Sequence, residues 1–208
     1  MSAIEHLQWR YAVKKFNQGR LSEQQVSFLI ESVRLAPSAF GLQPYQLLVL
    51  ATHEAKAKVL PHCFGQDKVV DCSHLLILAH KTCIQQTDID TYISGLALAQ
   101  NIPKAQLSQY QQQIETSILS MTQSEQAEMA KLQCFIALGT LLTTAASVQI
   151  DTCPMTGFDV EGVDRVLGLK QMGLSASVLC PAGFRDDEDG AANRPKYRMA
   201  QEELAVNL

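Results

Sequence analysis

Three apolar runs limit the folds that are open to this chain of 208 residues. Residues 46–51 read Gln-Leu-Leu-Val-Leu-Ala, residues 74–80 read His-Leu-Leu-Ile-Leu-Ala-His, and residues 175–183 include Ser-Val-Leu-Cys. The first two runs are almost continuously apolar, which is typical of strands buried on both faces and not of strands with one wet face. We therefore predict three strands, the first two of them interior.

Helices fill most of the remaining chain. Ser22 with Gln25 forms a capping-box pattern before an apolar stripe of period 3.6 (Val26, Phe28, Leu29, Ile30 and Val33). A longer helix, predicted to be capped by Ser124, runs to about residue 148. It becomes apolar nearly all round after Cys134, as expected of a central buried helix. Further helices are predicted at residues 4–11, 53–60 and 159–167.

Two segments depart from this pattern. Residues 88–126 are polar and rich in glutamine, and we predict two helices there (88–100 and 104–120) in a peripheral excursion too poor in apolar residues for a deep core. Residues 185–190 are predicted to form an acidic surface loop. Near the end, Leu204, Val206 and Leu208 recur at period two, which suggests an edge strand or an exchanged tail.

Composition excludes several classes of function. The net charge of −4 and the few aromatic residues argue against nucleic-acid binding. The six cysteines form no CxxC pair, and His62, Cys63, Cys72 and His74 match no zinc spacing, so we expect free thiols, no metal and a reducing cytoplasm. No signal-peptide pattern precedes residue 9, and no apolar run approaches the ~20 residues of a membrane span.

The connection between the second helix and the first strand is long. Residues 36–45 read Ala-Pro-Ser-Ala-Phe-Gly-Leu-Gln-Pro-Tyr. Pro37 ends the helix, and Gly41 permits a turn with φ > 0 or a close approach of the backbone to a ligand. Loops of this length often carry function, although a packed turn explains the same residues.

Five cations are the most informative charged residues of this acidic chain: Arg10, Lys14, Lys68, Lys196 and Arg198. Arginine and lysine beside Gly, Pro and Ser loops suit a phosphate-bearing ligand. The alternative is that all five are solvated surface groups. The chain contains no P-loop, GxGxxG, GxSxG or HExxH motif.

The order of these segments resembles the nitroreductase family of FMN-dependent NAD(P)H oxidoreductases, in particular the oxygen-insensitive bacterial type. The series starts with Arg10-x-x-x-Lys14-x-Phe16 and the loop from Ser38 to Tyr45, continues with Lys68 and Ala137-Leu-Gly139, and ends with Pro154-Met-Thr-Gly157 and Lys196-x-Arg198. The resemblance covers nearly the whole chain. It implies a single α+β domain over residues 1–208, with a central, mostly antiparallel sheet flanked by helices. It also implies an intertwined homodimer with two FMN sites lined by both subunits.

The resemblance also implies roles for individual residues. Arg10, Lys196 and Arg198 would hold the FMN phosphate, and Lys14 and Lys68 would lie near the N1/O2 edge of the ring. The implied cofactor-binding set also includes Tyr11, Ala12, Ser38, Ala39, Gly41, Gln66, Gln133, Pro154, Met155, Thr156 and Gly157, with Ser38 and Gly41 coming from the other subunit. Residues 154–157 would form a rigid turn with free backbone N–H groups. Phe40, Leu42 and the 88–126 excursion would shape the open side of the site.

Several positions depart from the bacterial pattern. Tyr11 and Ala12 replace a His or Arg and a Ser, Ala39 replaces a Ser, and Gly41 replaces an Asn. The asparagine expected before Lys68 has no counterpart beyond Gly65 or Gln66, and Thr156 replaces a Glu. We therefore expect cofactor binding to depend more on the five cations and on backbone donors.

The expected reaction is a ping-pong transfer in which NAD(P)H passes a hydride to FMN N5 and a nitroaromatic, quinone or similar acceptor then takes the electrons. No side chain is expected to act as the catalytic group, since the flavin carries the hydride. Free flavin, a pteridine or an enone are alternative acceptors. A flavin-binding protein without turnover, and a dimer without any cofactor, are the remaining alternatives.

Overall fold

The computed structural model describes residues 2–207 and has an antiparallel sheet covered by helices. The strands are β1 (Tyr45–Leu50), β2 (His74–Lys81), β3 (Asp151–Thr152) and β4 (Leu174–Gly183), in the spatial order β1-β2-β4-β3. The helices are α1 (Ala3–Trp9), α2 (Glu23–Arg34), α3 (His53–Val59), α4 (Lys68–Asp71), α5 (Gln86–Gln100), α6 (Ser108–Leu119), α7 (Gln123–Ser147), α8 (Val160–Leu167) and α9 (Gln201–Leu204). The α+β class and the antiparallel sheet are confirmed.

The sheet pairs segments that are far apart in sequence. His80 in β2 lies opposite Tyr45 in β1, and His74 lies opposite Ala182 in β4. β2 and β4 are the interior strands and are almost wholly buried. The expectation that the first strand is interior was wrong, because β1 lies at the edge and only its Leu50 is buried.

Two clusters of buried apolar residues cover the two faces of this sheet. One cluster includes Leu75, Ile77 and Leu179 with the residues around α3 and α8. The other includes Leu76, Leu78 and Val178 with α2 and the second half of α7. Because neighbouring residues of one strand point to opposite faces, a continuous apolar run such as β2 contributes to both clusters.

The helix boundaries follow local capping signals, with one correction. The Ser22 side chain accepts from the N–H of Gln25 in the expected capping box. α7 is capped by Thr122, which accepts from the N–H of Glu125, and not by Ser124. Thr122 and Glu125 form a reciprocal capping box that begins two residues earlier, and that pair satisfies more of the free N–H groups. In the α2 stripe, Leu29 and Val33 are buried, but Phe28 and Ile30 are exposed.

The excursion of residues 88–126 forms the expected helices, but contrary to expectation it has an apolar core of its own. Ile84, Ile89, Ile93, Ile114 and Ile118 are all buried in a third cluster between α5 and α6. The period-two tail is also a correction: residues 201–204 are the helix α9, whose Leu204 is exposed, as is Val206, and Leu208 lies outside the described residues. Five of the six cysteines are buried, and all six are free thiols.

α7 corrects a further expectation. In the part of the chain that the structure describes, α7 is the one helix long and apolar enough, by length and composition, to cross a membrane. It packs against α2, α1 and β2 in this fold, as the core helix of a globular domain does. Within residues 2–207, no group of three or more His, Cys, Asp or Glu side chains could hold a metal ion.

Candidate functional site

Three of the five cations converge at the end of α1. Arg10 is the C-cap residue of α1, and the Lys196 ammonium donates to the main-chain oxygens of Gln8 and, at 3.4 Å, Leu7. Burial lowers the pKa of Arg10, and the positive charge of Arg198 lowers it further. Burial and the charges of Arg10 and Arg198 likewise lower the pKa of Lys196. The structure therefore brings together the residues expected to bind a phosphate.

Arg10 has an unsatisfied donor at this point. Its Nε is buried and has no hydrogen-bond partner among the described residues. A buried polar group without a partner is costly, and a charged donor more so. A cavity of about 550 Å³ is lined by the preceding residue Trp9, by Lys196 and Arg198, and by residues 192–195 among others. Its size is typical of a small-molecule site, and its charge suits an anion.

The other two cations, Lys14 and Lys68, lie close enough to Cys153 for their charges to act on its thiol. Burial raises the pKa of the Cys153 thiol, whereas the charges of Lys68, Lys14 and Arg10 act on it in the opposite direction. Lys68 Nζ donates to Gln66 Oε1 at 2.8 Å, and Gln66 Nε2 donates to the Gly157 oxygen at 2.8 Å. Lys68 and Gln66 are thus tied to the turn that follows Cys153.

That turn is partly closed. Met155 is buried, and its N–H donates to the Leu179 oxygen at 2.7 Å while its own oxygen accepts from Leu179. The Met155 N–H is therefore not free to bind a ligand, contrary to the expectation of exposed N–H groups along the whole turn. Thr156 and Gly157 are exposed, and Pro154 is half-buried.

Tyr11 and Ala12 hold the backbone in place. The Tyr11 hydroxyl donates to Asp189 Oδ2 at 3.0 Å, and burial together with this carboxylate raises the pKa of Tyr11. Ala12 forms an isolated bridge with Thr152 at the end of β3. Both side chains therefore face the protein, and their positions fix the chain between Arg10 and Lys14.

Sequence reasoning missed three charged residues in this region. Arg185 forms a bidentate ion pair with Asp151, and its guanidinium lies over the rings of Trp9 and Tyr11, at 4.3 and 4.6 Å from their centroids. The third is Asp189, which is buried, so the segment predicted as an acidic surface loop is only partly exposed. No spacing or motif marks these residues, because their partners are distant in sequence.

The remaining expected residues form a second group. The N–H of Ala39 donates to Gln133 Oε1 at 2.9 Å, and Gln133 Nε2 donates to the Met129 oxygen at 3.0 Å. Ser38 Oγ accepts from the N–H of Gln43 at 3.0 Å. Gln133 thus anchors the loop to α7, and both ends of its amide are occupied.

The tip of this loop adopts an unusual backbone conformation. Phe40 and Gly41 both have positive φ angles, 55° and 77°. The Tyr110 hydroxyl donates to the Phe40 oxygen at 2.9 Å, and Phe40 and Leu42 pack against the apolar cluster of the excursion. A β-carbon on Gly41 would lie 2.7 Å from the Tyr92 hydroxyl. The excursion therefore sets the shape of the loop.

The two groups lie at opposite ends of the sheet within one chain. The loop of residues 38–42 leads into Tyr45, which lies opposite His80 near the end of β2. Lys68 precedes the start of β2, and Cys153 follows the strand that pairs with the end of β4. Eight residues of strand span roughly 25 Å, so one chain does not place the loop beside the five cations.

Comparison with known proteins agrees with the fold. The model of the Nitroreductase family matches residues 7–184. A Staphylococcus aureus (strain USA300) protein provisionally named NAD(P)H nitroreductase is 31% identical, over 97% of this chain and 93% of its own length. The major NAD(P)H-flavin oxidoreductase of Aliivibrio fischeri is 27% identical, over 99% and 98%.

A solved structure supports the same architecture. A provisionally assigned nitroreductase from Exiguobacterium sibiricum, in complex with FMN, superposes with a TM-score of 0.86 at 19% identity, covering 100% of this chain and 98% of its own. At that identity the likeness concerns the fold. The family match spans both the segment with Arg10 and Lys14 and the turn with Pro154 and Gly157. The chain therefore belongs to the Nitroreductase family.

Proposed function

We propose that this protein is an FMN-dependent oxidoreductase that transfers electrons from NADH or NADPH to a small-molecule acceptor. The observation that carries the proposal is the buried, unpartnered Nε of Arg10 within a cluster of cations beside a cavity. A phosphate monoester would supply the missing acceptor, with the charges of Lys196 and Arg198 adding to its binding.

The residues around Cys153 would hold the ring portion of the cofactor. Gln66 and Lys68 are fixed to the turn of residues 154–157, whose Thr156 and Gly157 are exposed. Bound FMN supplies the hydride chemistry that protein side chains lack. Lys14 and Lys68 place two positive charges here, and these would stabilise negative charge on the cofactor when it accepts electrons.

We further propose that the site is completed by a second copy of the chain. Several apolar side chains are exposed on α7 and α2: Leu132, Phe135 and Ile136 on the first and Phe28 and Ile30 on the second. Large apolar side chains exposed on two neighbouring helices are typical of an interface. A homodimer of this kind would bring Ser38, Gly41, Phe40 and Leu42 of one subunit to the cations of its partner.

The acceptors are proposed to be nitroaromatics, quinones or similar planar molecules. The name of the S. aureus relative refers to nitro compounds, and that of the A. fischeri relative to flavin. An enone reductase of a gut-bacterial fatty acid pathway has the same fold, with a TM-score of 0.83 at 21% identity. We propose a cytoplasmic location, in keeping with six free thiols.

The first test is cofactor binding. Purified protein, loaded with FMN or titrated with it, should be yellow and should be bleached anaerobically by NADH or NADPH, followed by reoxidation with an acceptor. A colourless protein that takes up no FMN contradicts the proposal. FMN that neither nicotinamide bleaches indicates a flavin-binding protein without turnover.

The second test concerns the phosphate. Arg198→Ala and Lys196→Ala should each weaken FMN binding about tenfold or more, because each removes a positively charged side chain that would bind the phosphate. Affinity for riboflavin, which lacks the phosphate, should change little. Lys58→Ala, an exposed cation on α3, is the matched control and should bind FMN as the wild type does. Equal affinities in all variants would refute the assignment of the phosphate site.

A further inference from the structure

Asp189 is buried in a segment that otherwise faces solvent. Only 4% of it is exposed, whereas its neighbours Asp187 and Glu188 are exposed. A carboxylate is rarely buried unless hydrogen bonds or charges compensate for the loss of water. Its partners therefore show what it stabilises.

The partners of Asp189 come from both ends of the chain. Oδ2 accepts from the Tyr11 hydroxyl at 3.0 Å and from the N–H groups of Lys14 at 2.8 Å and Lys15 at 3.3 Å. Oδ1 accepts from the N–H of Ala191 at 3.0 Å. Burial alone would raise the pKa of Asp189, but these donors outweigh it and lower the pKa, so the carboxylate is ionised at neutral pH.

The ion pair of Arg185 with Asp151 supports the same segments. Arg185 is held by Asp151 and covers the rings of Trp9 and Tyr11. Tyr11 therefore has its ring on Arg185 and its hydroxyl on Asp189. The chain that leaves Asp189 continues through Ala192 along the cavity to Lys196 and Arg198.

We propose that Asp189 is a positioning residue for the phosphate site, which fixes the segment from Arg10 to Lys14 against the segment from Ala192 to Arg198. This inference rests on the function proposed above and assigns Asp189 no contact with the ligand. Asp189 is itself an anion, so its charge opposes the binding of a phosphate. Only the hydrogen bonds by which it holds the two segments in place favour that binding.

The negative charge of Asp189 makes the inference testable, because positioning and electrostatics predict changes in FMN affinity of opposite sign. A carboxylate near the cation cluster repels a phosphate, so removing its charge should tighten FMN binding if Coulomb forces alone acted. Asp189→Asn also places an amide NH₂ against backbone N–H donors and loosens the residues it holds. Positioning therefore predicts weaker binding, and electrostatics alone predicts tighter binding.

The experiment measures the dissociation constants of FMN and riboflavin for the apo-protein, by quenching of flavin fluorescence. Asp189→Asn should weaken FMN binding about tenfold or more and riboflavin binding by less than about threefold. Tyr11→Phe, which removes one hydrogen bond and keeps the ring on Arg185, should weaken FMN about threefold. Asp187→Asn, the same charge change on an exposed neighbour, should leave FMN binding unchanged or slightly tighter.

Two results overturn the inference. One is FMN binding as tight as or tighter than wild type in both Asp189→Asn and Tyr11→Phe. The other is an equal loss of FMN and riboflavin affinity in Asp189→Asn, which would mean general disorder. If Asp189→Asn does not fold, Tyr11→Phe decides, by its loss of FMN affinity compared with its loss of riboflavin affinity.

A readout without FMN separates this inference from the proposed function. Amide hydrogen exchange at Lys14 and Lys15 in the apo-protein should be at least about tenfold faster in Asp189→Asn, with α2 unchanged. Unchanged exchange overturns the positioning role even if FMN binds. Faster exchange in a protein that binds no FMN supports the positioning of the two segments and refutes only the proposed function.

Discussion

His80 is a buried histidine near the end of β2, and its Nδ1 lies 2.8 Å from Ser177 Oγ on β4. Burial lowers its pKa below the ordinary value, and the charge of Lys131 lowers it further. The carboxylates of Asp164 and Glu128 act in the opposite direction and are outweighed. The folded protein therefore favours the neutral imidazole.

This residue gives the stability of the fold a pH dependence with a definite sign. As the pH falls through about 6.5 the unfolded chain binds a proton that the folded chain resists, so the free energy of unfolding should fall, by at most about 1.4 kcal/mol per pH unit for this group. His80→Asn should reduce that slope. Urea midpoints at several pH values measure it.

The control is His53→Asn, at an exposed position of α3, which should keep the wild-type slope. The pKa of His74 is also lowered, by burial and by Arg20 and Lys56, so part of the slope remains in His80→Asn. An identical slope in His80→Asn and the wild type would rule out the contribution of His80.

At the residue scale, the sequence singled out the five cations as candidate site residues but did not single out the buried carboxylate of Asp189. In this acidic chain, the cations that stood out as next to loops of Gly, Pro and Ser are Arg10, Lys14, Lys68, Lys196 and Arg198. Asp189 lies in a run of acidic residues, where nothing local distinguishes a buried carboxylate from an exposed one. Its burial depends on donors from residues 11–15, which only the folded structure brings near.

At the element scale, a small residue lets α8 approach the segment before α4. His62 Nδ1 lies 3.1 Å from Asp159 Oδ2, and the N–H of Asp159 donates to the His62 oxygen at 2.8 Å. Asp159 is the N-cap of α8. A β-carbon on Gly162 would lie 1.9 Å from His62 Nδ1 and 2.3 Å from Asp159 Oδ2.

Gly162→Ala should therefore destabilise the protein by about 1–3 kcal/mol, because His62 and Asp159 must both move. The double variant with His62→Ala should recover part of that loss, since the nearer obstruction is gone. Gly95→Ala is the control in α5, where a β-carbon meets nothing within 4 Å; it should lose no stability and could gain up to about 1 kcal/mol. Equal midpoints for Gly162→Ala and wild type would contradict the steric argument.

Most elements could be predicted because their signals are local. The capping box of Ser22 and Gln25 and the Asp159 start of α8 depend on residues within one turn. Burial of β1 could not be predicted, because an apolar run does not reveal whether its strand lies at the edge of the sheet. The α9 tail was misread because the period-two pattern begins at Leu204, where the helix ends, and therefore carries no signal of that helix.

At the scale of the whole molecule, the proposed dimer makes a prediction about mixed subunits. Arg198→Ala removes one of the five cations (the cation group), and Ala39→Trp places a bulky side chain in the loop of residues 38–42 (the loop group). Each homodimer should bind little FMN. If each site takes one group from each subunit, mixed dimers contain one intact site. Co-refolding equal amounts should then restore about one quarter of the wild-type FMN capacity.

Light scattering of the same samples measures the oligomeric state. No recovery on mixing, with mixed dimers shown to form, would contradict a site shared between subunits. A monomeric wild type that binds one FMN would contradict it as well. Arg198→Ala mixed with Lys196→Ala is the matched control: both changes affect the same group, so no recovery is expected.

The position of β4 has a consequence for the synthesis of the chain. β4 is the last strand made, yet it lies between β2 and β3 in the sheet. A growing chain therefore holds the buried face of β2 without its neighbour until residue 183 has left the ribosome. The cations at positions 196 and 198 emerge later still, so at the phosphate site proposed above the cofactor would bind only after residue 198 has emerged and would not guide the earlier steps of folding.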